Sequence, residues 1–532
     1  MKAKRFDALS LSVMSNAVAM IAEEMGTVLE RGALSPNIRE RRDASSAIFD
    51  AQGRMIAQAA HIPVHLGAMP ESVRAVMART PAPGDVFLLN SPFDGGSHLP
   101  DLTMVEAVTD RGHICGYTAV RAHHADVGGM SPGSMPQGAS ELVQEGLHLP
   151  PVRLAPRGRL DEALLELILA NVRTPEERRG DLEAQRGACA AGADGWRSLL
   201  KREGVGRMGT VCDALLDYTE RRARARLREL GDVSGEAEDM LEGDGMSDTP
   251  VPFRVKLRLR NGTMHLDFAG TSPRVRGNVN TPRSVVRAAA IFVLRSLLDD
   301  DVPTNEGIAR PVEIVTPDNC VLNAKWPSAV AAGNVETSQR VTDLLFAAFA
   351  NAGVAVPAQG QGTMNNITFG GEGWTFYETL GGGQGASVRG PGPSAVHVGM
   401  SNTRNTPIES LEHAYPIDIT EYAVRRNSGG LGRNNGGDGV IRRYRVRESC
   451  TVTLVTERRA RAPRGAAGGA DGAAGINRLN GKPLPAKCRC ALSAGDEITI
   501  ETPGGGGWGR VSPSPGAETG VWTSVSRPRL ET

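Results

Sequence analysis

Apolar residues recur at helical spacing over the first thirty positions, where Leu9, Val13, Val18, Ile21, Met25 and Leu29 fall along one side. The spacing predicts an amphipathic helix ending near Arg31-Gly32. From Ser46 to about Val152 the pattern turns to short strands separated by glycine-containing turns, with Asp50-Ala51-Gln52-Gly53 as one hairpin turn. Between Leu160 and Leu230, DEALLELILANV and CDALLDYTERRARARLREL predict helices. The basic run Arg221 to Arg228 alternates with Ala and Leu, which reads as a solvated helix face rather than a binding patch. Gly235 to Thr249 is acidic and polar, and FRVKLRLRNGTMHLDFAGTS then alternates around Asn261-Gly262, a strong hairpin signature. A boundary near residue 245 is expected. Two further helices are predicted at Ser284 to Leu298 and Glu336 to Ala350, with strand-like PVEIVTPDNCVLN between them.

Composition adds a question to this outline. Gly (64) and Pro (33) supply about 18% of the 532 residues, against about 12% on average, while aromatics are only 4%. The excess glycine gathers beyond Gly360 in clusters with no fixed period, so a solenoid or propeller is not supported. The whole reads as an α+β chain: a strand-rich part with a helical insertion over 1–245, a Gly-rich α+β part over 246–510, and a disordered tail over 511–532.

Sixty basic residues balance sixty acidic ones, which removes a chain-wide footprint for nucleic acid or an anionic membrane. Met1 to Arg5 is basic, but polar residues and acids interrupt the apolar positions after it, so neither a signal core nor a membrane span is read and a cytoplasmic location is expected. Seven scattered cysteines do not form a disulfide framework. The close pair Cys488 and Cys490 is weak evidence for metal.

The densest polar constellation runs from Asn90 to Gly129 and holds four of the ten histidines. Leu102 to Val108 and Ile114 to Val120 read as hairpin strands. A two-residue loop at Asp110-Arg111 would set His98 opposite His123 and Asp101 opposite Val120, so that His98, Asp101 and His123 or His124 converge at one end. Two imidazoles and a carboxylate are the ligand set of an open divalent site, better suited to Zn²⁺, Mn²⁺ or Fe²⁺ than to Mg²⁺ or Ca²⁺. The bland alternative is a pair of hairpin-end histidines satisfied by backbone. His61 and His65, four apart and on one face if extended, would add a ligand or orient one. His113, His148 and His265 read as idle. Thr502 to Gly509, TPGGGGWG, suits either an anion cradle or a tight turn. Arg404, Asn405, Glu409, Arg425, Arg426 and Arg433 punctuate the other glycine loops and would suit carboxylate or amide recognition, or surface ion pairing. Gly333 to Arg340 reads as a helix start with Asn334 or Thr337 as cap, and Glu336 there is either a first-turn acid or a general base. No serine-hydrolase elbow, zincin helix or P-loop occurs.

At Asn37–Asp43 (NIRERRD), His61–Gly67 (HIPVHLG), Gly95–Asp101 (GGSHLPD), Arg121–Gly129 (RAHHADVGG), Gly333–Arg340 (GNVETSQR), Ser401–Pro407 (SNTRNTP), Ser428–Gly432 and Thr502–Gly507, the chain resembles the hydantoinase B family. That family includes B subunits of ATP-dependent N-methylhydantoinases, the corresponding part of 5-oxoprolinase, and large subunits of acetone and acetophenone carboxylases. The resemblance implies a multi-layer hydantoinase-B-like fold and assigns the metal to His98, Asp101 and His123. Asn90-Ser91-Pro92, Ser46 and the Ala/Gly-rich Ala462 to Gly475 depart from the family pattern. His124, Asp126, His65 and Glu336 follow as candidates for acid–base work or for orienting the ligands. The resemblance also implies an A-type partner that uses ATP and Mg to phosphorylate a carbonyl oxygen, as an assembly with two copies of each chain. The expected substrate is a small cyclic amide, a hydantoin or 5-oxoproline; the alternative is ATP-dependent carboxylation of a ketone.

Overall fold

The computed structural model describes residues 7–511. The readings of Met1 to Arg5 and of the tail beyond residue 511 fall outside them. Helix α1 (Ala8–Gly32) opens on Asp7, whose carboxylate accepts the Ser10 N–H at 2.7 Å. Met14, Val18, Ile21, Met25 and Leu29 are buried, but Leu9 and Val13 stay 76% and 52% exposed, so the inward stripe begins a turn later than the spacing predicts. A short helix α2 (Pro36–Arg39) leads into a six-stranded antiparallel sheet. Its strands are β1 (Ala44–Asp50), β2 (Met55–Ala60), β3 (Val86–Leu89), β4 (Asp101–Asp110), β5 (His113–His123) and β6 (Val152–Ala155), in the order β2-β1-β5-β4-β3-β6. Helix α3 (Met69–Met77) covers one face through Met69, Val73 and Val76, against Phe49, Phe87 and Tyr117. The other face lies under α1 and the three helices that come after β6: α4 (Glu162–Leu169), α5 (Pro175–Glu203) and α6 (Val205–Glu229). With helices on both faces, the strands are buried throughout rather than alternating.

The second sheet is β10-β9-β8-β7, built from β7 (Ser234–Leu241), β8 (Val251–Arg260), β9 (Thr263–Asp267) and β10 (Val312–Val315). Asn261-Gly262 makes the β8–β9 turn as expected, with φ of 51° and 73°. Strand β7 is hidden in the acidic stretch because its inward positions are Gly235, Ala237, Asp239 and Leu241, only one of them bulky. It pairs with β8 across residue 245, so the expected boundary falls inside a sheet. Helices α7 (Arg283–Ser296) and α8 (Ser338–Asn351) share this sheet's core. In the basic run on α6, Arg222 pairs with Asp299 and Asp301 while Arg226 donates to the Leu297 carbonyl, so that face is solvated and also ties α6 to the end of α7.

Two more sheets share a core of Ile367, Phe369, Tyr444, Val452, Ile498 and Ile500. Their elements are β11 (Asn366–Gly371), β12 (Trp374–Glu378), α9 (Ile408–Ala414), β13 (Ile417–Arg425), β14 (Gly439–Val446), β15 (Cys450–Val455), β16 (Ile476–Leu479), β17 (Lys482–Leu484), β18 (Lys487–Leu492) and β19 (Glu497–Glu501). They pair in the orders β12-β11-β15-β18 and β13-β14-β19-β16-β17. All seven cysteines are unpaired, and no described helix is long and apolar enough to cross a membrane.

The glycine excess is explained beside these sheets. After β19 the chain runs through the middle of a bundle of glycine-rich segments, and its N–H groups are donated with a period of three. Gly504 and Gly507 donate to Ala473 and Ala470, Gly505 and Trp508 to Gly437 and Asn434, and Gly506 to Gln359, while Gly509, at a φ of 77°, leaves the pattern and donates to Ala466. Three residues per turn is the repeat of polyproline II geometry, not of a β-strand, so the backbone bonds in three directions at once. A Cβ on Gly505 would lie 2.1 Å from the Gln384 carbonyl oxygen, and one on Gly436 2.0 Å from that of Gly505. Thr502 to Gly509 is therefore neither an anion cradle nor a tight turn: its N–H groups are spent inside the bundle.

Candidate metal centre

Strands β4 and β5 are joined by Arg111-Gly112, with φ of 48° and 83°, not by Asp110-Arg111, and a bulge interrupts the ladder between Val108 and Thr109. The register differs accordingly from the expected one. Asp101, the first residue of β4, stands opposite His123, the last of β5, rather than opposite Val120. His98 is not on the ladder at all. It sits in the turn before β4, where the Asp101 N–H donates to the His98 carbonyl at 3.2 Å, and this turn brings both side chains to the same point.

The three side chains still meet. His98 Nε2 lies 3.2 Å from Asp101 Oδ1, His123 Nδ1 lies 3.3 Å from the same oxygen, and the two nitrogens are 3.2 Å apart. Donor atoms held about 2.0–2.2 Å from one ion at tetrahedral to octahedral angles are about 2.8–3.6 Å from each other, so this triangle has the size of a metal's ligand face. Asp101 Oδ2 is occupied by Ser97 Oγ, which donates to it, by Asn334 Nδ2 at 3.4 Å and by His65 Nε2 at 3.4 Å. Oδ1 has no hydrogen-bond donor among the described residues and faces the imidazoles. His98 Nδ1 donates to the Ala331 carbonyl at 3.3 Å, which fixes the tautomer and leaves Nε2 a bare lone pair. The group is fully buried and satisfies the donor arrangement of a divalent cation.

Electrostatics favour that role. Burial pushes the Asp101 carboxyl up, but the adjacent His98 and His65 imidazoles, with His123 beside them, more than offset it and hold it well below the usual range. Burial drives His123 down to about 3, so at neutral pH its imidazole is uncharged and able to ligate. Burial likewise lowers His65, against the pull of Asp101.

Segments far apart in sequence brace the three. Tyr377 on β12 stacks on His123 at 4.5 Å and 13°. Asn37 on α2 donates to the His123 carbonyl at 2.6 Å and accepts from Arg41, whose guanidinium also bonds the Tyr377 carbonyl and Thr379. Asp43 is buried beside the site, its carboxyl raised to about 7 by burial, opposed by Arg41 and reinforced by Asp101. Gly333–Thr337 forms a turn of π-helix ahead of α8, a local widening that often marks functional positions. Neither proposed cap acts as one: Asn334 turns to Asp101 and Thr337 Oγ1 donates to the Val279 carbonyl. Glu336 Oε1 accepts from Thr363, Met364 and Asn366, while Oε2 has no partner among the described residues. Burial and then the Glu457 charge raise this carboxyl to about 8. Asn366 also accepts from Tyr377 Oη at 2.8 Å, linking Glu336 to the ring on His123.

Other candidates lie elsewhere. His124 points away from its neighbour and binds Gln185 on α5 at 2.9 Å, lowered to about 4 by burial and then by Arg178. Asp126 accepts from Gly128, Gly133 and Arg173, an arrangement that ties down a loop. Neither reaches the ligand atoms. His61 and His65 part company because Pro63–His65 is a turn of 3₁₀ helix; His61 turns to Glu23 at 3.4 Å while His65 enters the site. His148 is half-buried and stacks on Trp326, and His265 pairs with Glu313. Arg425 pairs with Glu501 and Arg433 lies over Trp508, so these side chains brace glycine loops. Asn37, Arg41, Asp43 and Tyr377 were not singled out from sequence, and Asn334 was read only as a helix cap; Asn37 to Asp43 and Asn334 stood in the resemblance, but Tyr377 carried no signal. A cleft of about 1040 Å³, lined by Gln339, Asp343, His397, Ser401 and Arg464 among others, does not include the three ligand side chains.

The pattern of the Hydantoinase B/oxoprolinase family matches residues 7–511. The chain belongs to that family. This hydantoinase B/oxoprolinase chain is 39% identical to an uncharacterised protein of Methanocaldococcus jannaschii, over 94% of its own length and 91% of the relative's. It is 37% identical to 5-oxoprolinase 1 of Arabidopsis thaliana over 94% of its length, yet spans only 42% of that enzyme. The putative B component of a D-/L-hydantoinase from a Pseudomonas species is 29% identical, with 95% and 90% covered. Among solved structures, the ATP-dependent caprolactamase of Pseudomonas jessenii superposes with a TM-score of 0.89 at 26% identity, covering 95% of this chain and 92% of that one. Acetone carboxylase shares the fold, with a TM-score of 0.83 at 16% identity over 94% and 76%.

Proposed function

We propose that this hydantoinase B/oxoprolinase chain is the metal-bearing subunit of an ATP-dependent hydrolase that opens a small cyclic amide, with a hydantoin, 5-oxoproline or a related lactam as substrate. The observation that carries the reading is the buried triangle of His98, Asp101 and His123, in a chain whose relatives are named for ring-amide hydrolysis. A divalent Zn, Mn or Fe ion held by those three would supply Lewis-acid polarisation and acidify water at neutral pH. An amide resists attack because resonance deactivates its carbonyl, which is why the reading includes an ATP-using A-type partner that phosphorylates the oxygen. Two copies of each chain is the assembly we expect.

The chain's own side chains then divide the work. His65, Ser97 and Asn334 hold Asp101 Oδ2 so that Oδ1 faces the ion position. Tyr377 fixes the plane of His123. Glu336, raised to about 8, carries a proton at neutral pH and has one oxygen free, which suits a proton donor to the opening ring better than the general base read from the sequence. We assign His124 and Asp126 no part in proton transfer.

The test is co-expression with an A-type partner, metal analysis, and ATPase assay against hydantoins, 5-oxoproline, caprolactam and ketones with bicarbonate. Stoichiometric transition metal and ring-amide-dependent ATP hydrolysis are expected. ATP hydrolysis that needs bicarbonate and a ketone would overturn the hydrolase reading in favour of carboxylation.

A further inference from the structure

One buried carboxyl near the centre has no role in the chemistry above. Glu145 is fully buried just after a 3₁₀ turn (Leu142–Gln144), and both its oxygens face the main chain of a distant loop. Oε1 accepts the Val330 N–H at 2.9 Å and the Ala331 N–H at 2.8 Å, and Oε2 lies 3.0 Å from the same Val330 N–H. The carbonyl of Ala331, the second residue so held, is the acceptor for His98 Nδ1. Nothing else described bonds that ring nitrogen. The loop then runs directly into the π-turn that delivers Asn334 to Asp101.

We propose that Glu145 is a positioning residue of the metal centre, acting through the Ala331 carbonyl to hold His98 with its Nε2 lone pair aimed at the ion. This rests on the metal-binding part of the proposed function. The physical argument concerns the tautomer. An imidazole ligates through one nitrogen only if the other keeps the proton, and a carbonyl in a fixed place is what keeps it there. A loop is a poor support for that carbonyl unless its own N–H groups are anchored. Glu145 anchors two adjacent ones, those of Val330 and Ala331, and the Ala331 carbonyl that follows them is the one that meets His98. What matters is an acceptor oxygen at that spot rather than a negative charge.

That distinction gives the test. Glu145→Leu removes the acceptor at similar bulk, whereas Glu145→Gln keeps one oxygen where Oε1 stands. Zn²⁺ and Mn²⁺ affinities of the metal-stripped full chain would be measured by chelator competition and by electron paramagnetic resonance, alongside thermal unfolding with and without metal. Glu145→Leu should weaken metal binding about 10- to 100-fold, the usual cost of losing an outer partner of a ligand, and Glu145→Gln should stay within about threefold of wild type. Added to His98→Ala, Glu145→Leu should weaken binding no further, because the route through His98 is already gone. If Glu145→Leu binds metal as tightly as wild type, or weakens His98→Ala as much as it weakens the intact chain, the inference is wrong. If Glu145→Leu does not fold, Glu145→Gln and Glu145→Asp decide it: equal loss in both, despite the oxygen kept by Gln, would overturn the role. Failure of the wild-type chain to bind either ion would sink the metal reading itself, which is a separate outcome.

Discussion

At the scale of single residues, the centre depends on which atom of each side chain is left without a partner. Asp101 has one oxygen satisfied and one open, and His98 has one nitrogen bonded to a carbonyl and the other turned to His123 Nδ1 and Asp101 Oδ1. Asp101→Asn should abolish stoichiometric metal in the purified chain and His98→Ala should leave weakened, substoichiometric binding, read by elemental analysis, while His124→Gln should keep it. Glu336 makes a second prediction. Its Oε2 is orphaned and its carboxyl is raised to about 8, so Glu336→Gln should lower turnover about 10²- to 10⁴-fold without changing metal content, measured on the reconstituted pair. The same residue links stability to pH. A carboxyl raised in the fold binds its proton more tightly there than in the unfolded chain, so its stabilisation is full below about pH 4.5 and is lost as pH rises through about 8. Relative to wild type, Glu336→Gln should therefore gain stability with rising pH, by at most about 1.4 kcal/mol per pH unit between pH 5 and 8, in urea unfolding of the metal-free chain.

At the scale of elements, the hairpin and the glycine bundle show what local pattern reveals and what it hides. The β4–β5 hairpin is legible because two apolar runs flank clear turn residues; its strand ends bring Asp101 and His123 together, and the turn before β4 adds His98. The register was not legible: one bulge and a turn placed one residue later set Asp101 against His123 instead of Val120. Strand β7 was missed because Gly235 and Ala237 supply no apolar bulk to read. Tyr377 and Asn334 reach the ligands across more than two hundred residues, a distance over which periodicity says nothing. The glycine clusters were visible but not their purpose, because the three-residue period appears only when five separate segments are brought together. That packing makes a paired prediction. Gly505→Ala should destabilise the chain by about 2–3 kcal/mol through forced displacement of a backbone carbonyl. Gly209→Ala on α6, where nothing lies within 4 Å, should stabilise it by about 0.5–1 kcal/mol.

At the scale of the whole molecule, the layers are joined by a buried ion network rather than by one continuous apolar core. Arg340 on α8 lies 3.3 Å from Asp239 on β7 and 3.4 Å from Glu457 beyond β15, and Arg458 reaches Asp343 at 2.6 Å and Asp239 at 3.3 Å. Lys487 on β18 closes the network on Glu457. Charges this deep repay their desolvation only while all partners are present, so Arg458→Leu, which strands Asp343 and Asp239, should cost about 3–5 kcal/mol in a denaturant titration. Overall composition predicted none of this, because balanced charge counts do not reveal which charges are internal.

The three-residue repeat of the central glycine segment also bears on how the chain tolerates changes in length. The N–H groups from Gly504 to Trp508 find their acceptors in turn on three neighbouring segments, a sequence of directions that repeats after three residues. Inserting or deleting one residue there would rotate every later donor onto the wrong neighbour, whereas a change of three would restore the alignment. Indels in this segment should therefore be neutral only in triplets, a rule that neither the helices nor the sheets of the same molecule obey.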